Sequence, residues 1–274
     1  MTAPSTARVN GIDISYSLAG SGPLVVMVMG TGSPGRVWKA HQEPALVKAG
    51  FTVVTFDNRG VGATENADGF TTETMVGDTA ALIEQLGLAP VRVVGVSMGS
   101  YIAQELMVAR PELVRSAVLM ATRGRHDKAR DFFRNAEREF ADAGIALPPA
   151  YDAKIRLLES FSPKTLDDDR AVMDWAEMFT MWPTKVTPGF RSQMDAAPTT
   201  NRLPAYGAIR HRVLVIGFAD DVLLPAFLGR EVADDASSGP AWIAVVVPQA
   251  LEVPDAPEPP ATGSDAEGTA VDHP

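Results

Sequence analysis

Apolar residues in this chain gather in short runs of strand length, separated by stretches with a helical period. Leu24–Met29, Phe51–Phe56, Val91–Val96, Val114–Met120 and Val213–Phe218 are the predominantly apolar runs. Runs of this kind mark strands of a parallel sheet, which is covered on both faces. Between them, Val37–Lys48, Thr72–Leu86 and Ser100–Arg110 carry helical patterning, closed by Gly50, Gly87 and Pro111. The alternation predicts an α/β fold, a mostly parallel sheet with helices on both faces. At the start, Arg8–Ile12 holds an Asn10–Gly11 hairpin signal, and the alternating Ile12–Leu18 reads as an edge strand. Trp242–Val247 offers one further strand.

From Arg123 to about Ala205 the pattern changes to charged helices, broken at Pro148, Pro149, Pro163, Pro183 and Pro188. Residues 123–205 therefore read as a helical cap inserted into a core made of residues 1–122 and 206–247. Most of its large apolar residues, such as Trp175, Phe179 and Met181, are expected to pack cap helices together. A few are expected to face a permissive apolar pocket. Residues 248–274 are rich in Pro, Ala and acids and lack aromatics, which predicts a disordered tail.

Charge and composition narrow the function classes. The net charge of −10 is concentrated at one end: nine acidic residues and no Lys or Arg follow Arg230, leaving 24 basic against 25 acidic residues before it. A neutral body lacks the basic face that nucleic-acid binding requires. There are no cysteines, and the four histidines, His41, His126, His211 and His273, have no metal-site spacing. No signal-peptide h-region opens the chain, and the apolar runs are too short to span a bilayer, so a cytoplasmic protein without a membrane partner is expected. Oligomeric state is not legible.

The chemistry centres on Gly95–Val96–Ser97–Met98–Gly99, a G-x-S-x-G motif between a strand and a helix. That context makes it a nucleophile elbow, a sharp turn that lifts the serine hydroxyl clear of the sheet beside a helix N-terminus. A serine needs a base to take its proton, a carboxylate to orient that base, and N–H donors where the oxyanion develops.

With Gly30–Thr31–Gly32, Asp57–Asn58–Arg59–Gly60–Val61–Gly62 and Phe218–Pro225 in the same order, the chain resembles the cofactor-independent α/β-hydrolases. Its nearest flavour is the esterase, thioesterase and non-haem haloperoxidase-like group. The resemblance covers residues 8–233. It implies Ser97 as nucleophile and Asp221 as the acid, with Asp220 the rival. It implies Met98 N–H and Thr31 N–H as oxyanion donors, Gly32 being the alternative to Thr31. It implies no cofactor and no metal. Asp57 and Arg59 read as a structural paired turn. Met29–Gly30 stands where the family usually has His-Gly.

The family's histidine, expected near Pro248–Gln249–Ala250, is missing, and the match ends abruptly at about Asp235. None of the four histidines sits well for the role. The resulting expectation is a serine hydrolase acting on a small apolar ester or thioester, impaired if no base is supplied. The alternative is a catalytically silent protein of the same fold that binds a hydrophobic ligand or a partner.

Overall fold

The computed structural model describes residues 4–64, 69–87, 89–196, 199–235 and 242–247. It opens with the hairpin β1 (Ser5–Val9) and β2 (Ile12–Ala19). Asn10 and Gly11, at φ 48° and 81°, form the turn between them, the left-handed pair that matches the twist of a two-residue hairpin. The chain continues through β3 (Leu24–Val28), α1 (Gln42–Lys48), β4 (Thr52–Phe56), α2 (Thr72–Gln85), β5 (Val91–Val96), α3 (Met98–Ala109) and β6 (Val114–Met120). Helices α4 (Lys128–Ala143), α5 (Pro149–Ser160), α6 (Pro163–Leu166), α7 (Asp169–Met181), α8 (Pro188–Asp195) and α9 (Leu203–Tyr206) follow. Then come β7 (Arg212–Phe218), α10 (Ala226–Asp235) and β8 (Trp242–Val247).

The sheet has eight strands in the order β1-β2-β4-β3-β5-β6-β7-β8. From β4 to β8 all neighbours are parallel, while β1–β2 and β2–β4 are antiparallel. The predicted α/β class and the strand at Trp242–Val247 are both present. Two local expectations need correction. Strand β2 is interior, with β1 outside it, and its polar positions are accommodated because the buried Ser17 hydroxyl pairs with that of Thr55 across to β4 at 2.9 Å. The single helix expected over Val37–Lys48 is split: Gly35–Ala40 forms a 3₁₀ segment, and α1 begins only at Gln42.

Along β5 and β7 burial alternates, with Val91, Val93, Val213 and Val215 fully covered. Against them pack Ile102, Ala103 and Leu106 of α3 and Val232 of α10. Each of the valine, isoleucine and leucine side chains contributes about 1.5–3 kcal/mol on leaving water. Helix α2 starts with a reciprocal capping box between Thr71 and Thr74, which satisfies two of the otherwise unpaired N–H groups.

Between β6 and β7 the described residues carry only helices. The prolines read as breaks prove to be starts: Pro149, Pro163 and Pro188 each open a helix. Proline is suited there because its missing N–H is not needed in the first turn. Trp175 packs on Phe161 at 5.0 Å and on Phe179 at 5.7 Å, tying these helices together. Met173, Met181 and Trp182 are exposed. Among the described residues no helix is long and apolar enough to cross a membrane. The tail expected to be disordered, 248–274, lies outside the described residues.

Candidate active site

Parallel strands converge with their carboxyl ends on one edge, where open α/β sheets bind ligands. Ser97 stands there between β5 and α3, with φ 53° and ψ −120°. A non-glycine residue in this region is strained by about 1–3 kcal/mol and is held only by its surroundings. Those surroundings are close. A Cβ on Gly95 would lie 2.4 Å from the carbonyl oxygen of Gly99, and one on Gly99 would lie 2.1 Å from that of Val28. Both glycines of the motif are therefore required by contact. The Ser97 N–H donates to the Met120 carbonyl at 2.9 Å. The Ser100 hydroxyl bonds the Gly95 and Met120 carbonyls at 2.7 and 2.8 Å. The elbow is thus bolted to the end of β6. A groove of about 270 Å³ between α2 and α3, lined by Val76, Glu84 and Arg110 among others, lies at the opposite end of α3 and holds no nucleophile.

The glycine loop after β3 reaches the same point. A Cβ on Gly30 would come within 3.3 Å of the Ser97 Cβ, so Thr31 follows directly beside the nucleophile position. Among the described residues no acceptor meets the Thr31 N–H. Met98 is the first residue of α3, and an N–H there has no intrahelical acceptor. The Gly32 N–H, in contrast, is taken by the Gln193 side-chain oxygen at 2.8 Å.

Asp57 and Arg59 do not pair with each other, which corrects the expected paired turn. Asp57 is the hub of its own loop, accepting the N–H groups of Gly35 at 2.7 Å and Ala63 at 2.8 Å. Arg59 reaches Asp78 on α2 with two bonds, at 2.7 and 2.6 Å, and both partners are buried. Asp78 also accepts from Asn10 at 2.8 Å. One carboxylate thereby joins the N-terminal hairpin, α2 and the loop after β4.

Asp221 lies just beyond β7, two strands from β5, a lateral step of about 10 Å. One carboxylate oxygen, Oδ1, accepts the backbone N–H groups of Leu223 at 2.9 Å and Leu224 at 2.7 Å. No described group bonds its second oxygen. Asp220 is exposed and carries no such anchoring. Arg130 of α4 donates to the carbonyls of Leu223 at 2.9 Å and Val222 at 3.1 Å, so the helical insertion clamps this turn.

No histidine among the described residues bonds Ser97. His41 is exposed at the start of α1. His211 Nε2 donates to the Pro111 carbonyl at 2.9 Å, at the amino end of β7. His126 follows β6 on the correct edge, with Nδ1 2.6 Å from Asp131 Oδ1 and its Nε2 buried without a partner. Burial, reinforced by the charge of Arg123, pushes its pKa below the usual imidazole range. His273 lies outside the described residues.

Sequence reasoning overlooked the role of α8. A Cβ on Gly32 would meet the Phe190 ring at 2.5 Å, and one on Gly60 would meet Gly189 Cα at 2.6 Å. Gln193 also donates to the Arg59 carbonyl at 2.8 Å. The Ser192 hydroxyl receives the Gly69 N–H at 3.1 Å. Helix α8 is thus seated on the glycine loop beside Ser97 and on the loop after β4. Pro188 signalled a boundary, but nothing local signalled a docking face.

Residues 25–256 match the Alpha/beta hydrolase family. A Mycobacterium tuberculosis (strain H37Rv) protein named "Putative non-heme bromoperoxidase BpoC" is 62% identical over 245 residues, covering 89% of this chain and 90% of the relative. The solved structure of Rv0554 from Mycobacterium tuberculosis is 60% identical with a TM-score of 0.84, covering 90% of this chain and 91% of that one. The enol-lactonase from Burkholderia xenovorans LB400, at 23% identity, shares the fold with a TM-score of 0.73 over 89% of this chain and 91% of its own.

Proposed function

This chain belongs to the alpha/beta hydrolase family, and from that premise we propose that it is a serine hydrolase of carboxylic esters or thioesters. The observation that carries the reading is the backbone of Ser97, held at φ 53° at the N-terminus of α3. Strain of this kind is maintained where it serves chemistry.

In this reading Ser97 Oγ attacks the acyl carbon, and its proton passes to a base and then to the departing alcohol or thiol. Water then releases the acid and restores the hydroxyl. The Met98 and Thr31 N–H groups receive the oxyanion. Gly32 is set aside because Gln193 already occupies its N–H. Each such donor is worth about 10²–10³ in rate. Asp221 is the orienting acid: backbone donors fix one of its oxygens and leave the other for the base. No histidine among the described residues bonds Ser97, so in this reading the chain is impaired unless a base is supplied. Residues 123–205 act as a cap over a core of residues 1–122 and 206–247. The substrate is a small, largely apolar molecule. We assign the protein to the cytoplasm, with no nucleic-acid or membrane partner.

A second reading, a silent member of the family that binds a ligand or partner, is favoured by one observation: no described histidine reaches Ser97. A fluorophosphonate probe separates the two. Labelling at Ser97, abolished in Ser97→Ala and accompanied by p-nitrophenyl ester turnover, supports the hydrolase. Absence of labelling supports the binder, and labelling without turnover indicates a nucleophile lacking its base. Perhydrolase activity on the same serine is read by adding hydrogen peroxide to the ester assay.

A further inference from the structure

Two peptide planes link a cation of the helical insertion to the carboxylate of Asp221. Arg130 of α4 donates through Nε to the Leu223 carbonyl at 2.9 Å and through Nη2 to the Val222 carbonyl at 3.1 Å. The N–H groups of those same two peptide bonds belong to Leu224 and Leu223. Asp221 Oδ1 accepts both, Leu223 at 2.9 Å and Leu224 at 2.7 Å. A peptide unit is planar and close to rigid, so its C=O and N–H ends move together. Each of the two units therefore has its carbonyl end on the guanidinium and its N–H end on the carboxylate. Their dipoles lie aligned between a positive and a negative charge, where hydrogen bonds in series polarise one another.

The cation is itself held in place. Nη1 bonds both Asp127 oxygens, at 3.2 and 3.0 Å, and Asp127 Oδ1 caps α4 by accepting the Arg130 backbone N–H at 3.0 Å. All three guanidinium nitrogens are thus engaged, and the side chain is only 13% exposed. Arg125 pairs with Glu231 of α10 at 2.7 and 2.6 Å, so the insertion also holds the helix that follows the acidic turn. Residues 219–225, between β7 and α10, are all exposed or half-buried, and core packing restrains them little. The hydrogen bonds decide where the Asp221 carboxylate stands.

We infer that Arg130 is a positioning residue for the reaction: acting through the two peptide units, it sets the Asp221 carboxylate and makes the placement of the acid depend on α4 being seated. This deepens the hydrolase reading and rests on it for the role of Asp221. A salt bridge that served stability alone would have no need to face both peptide units whose N–H groups hold the acid.

The test joins amide exchange to kinetics on the full chain. In Arg130→Gln the Leu223 and Leu224 amides are expected to exchange about 10-fold faster, the scale of a lost hydrogen bond to a charged group, while the amides of β6 stay protected. The kcat for 4-nitrophenyl acetate is expected to fall about 10–100-fold, as for a misplaced catalytic group, with KM little changed. Arg130→Lys keeps the charge but not the fork and recovers part of both. In an Asp221→Asn background, Arg130→Gln costs no further kcat. Arg110→Gln, which breaks a surface pair at the far end of α3, alters neither readout. Unchanged exchange at Leu223 and Leu224 overturns the inference. So does an unchanged kcat where exchange has risen, or a kcat loss that persists in the Asp221→Asn background. If wild type turns over no ester, the hydrolase reading falls and exchange alone decides: faster exchange in Arg130→Gln upholds Arg130 as the group that sets Asp221, and equal exchange sinks it. Melting temperatures confirm that each variant is folded.

Discussion

Gln193 accepts the backbone N–H of Gly32 at 2.8 Å across 161 residues of sequence. The same amide donates to the Arg59 carbonyl at 2.8 Å, so a side chain from the helical insertion fastens the loops after β3 and β4 together. It also decides which N–H in the glycine loop is left for chemistry, since Thr31 keeps its donor and Gly32 does not.

Gln193 is buried, so Gln193→Ala leaves a donor and an acceptor unpaired in the interior. The expected loss is about 1–3 kcal/mol for each group left unsatisfied, read from urea unfolding. Activity toward 4-nitrophenyl esters is expected to fall as well, because the loop carrying Thr31 loses its restraint. A variant with wild-type stability would mean the amide is not a fastener.

Asp78 is expected to be among the most sensitive positions away from the elbow. It is 2% exposed and holds Arg59 through two bonds. Asp78→Ala strands a buried guanidinium, and breaking such a pair from one side costs about 3–5 kcal/mol. Arg59→Met in the same background should restore part of the loss, since it removes the stranded charge. A double variant no more stable than the single one would contradict this account.

The strain at Ser97 has a measurable cost. Ser97→Gly removes the Cβ from a left-handed backbone and is expected to raise unfolding stability by about 1 kcal/mol or more. Ser97→Ala keeps the strain and should not. Both lose fluorophosphonate labelling. If glycine stabilises no more than alanine, the elbow is relaxed rather than strained.

His126 links stability to pH with a definite sign. Burial first, and the Arg123 charge second, lower its pKa from the ordinary 6.5, so the unfolded chain takes up the proton before the folded one. Stability from this group is fully present above 6.5 and is lost as pH falls from there toward the folded value. Between about pH 7 and 5, wild type should lose stability more steeply than His126→Gln. The difference is bounded by about 1.4 kcal/mol per pH unit for one proton. Parallel profiles would show that the ring is not held neutral.

The strands β3 to β7, the elbow at Ser97 and the acidic turn after β7 were legible along the chain, because each is written in consecutive residues. An apolar run reports burial on both faces, and G-x-S-x-G after such a run reports a turn that only glycine permits. The placement of β2 was not legible: its alternation looks like an edge, and only the buried Ser17–Thr55 bond to β4 explains how an interior strand carries polar residues. Nor was the partner of Arg59, since Asp78 lies 19 positions away on another element.

The sequence by itself determined the α/β architecture, the nucleophile candidate and the glycines that make room for it. The tertiary structure decided which N–H groups near Ser97 are free, which charges are paired, and that α8 of the helical insertion seats on the loops after β3 and β4. The physical reason is that periodicity records whether a residue is covered, while hydrogen bonds and ion pairs depend on what covers it. Arg59 shows the difference: along the chain it is one arginine among many, and only folding sets it, buried, against Asp78.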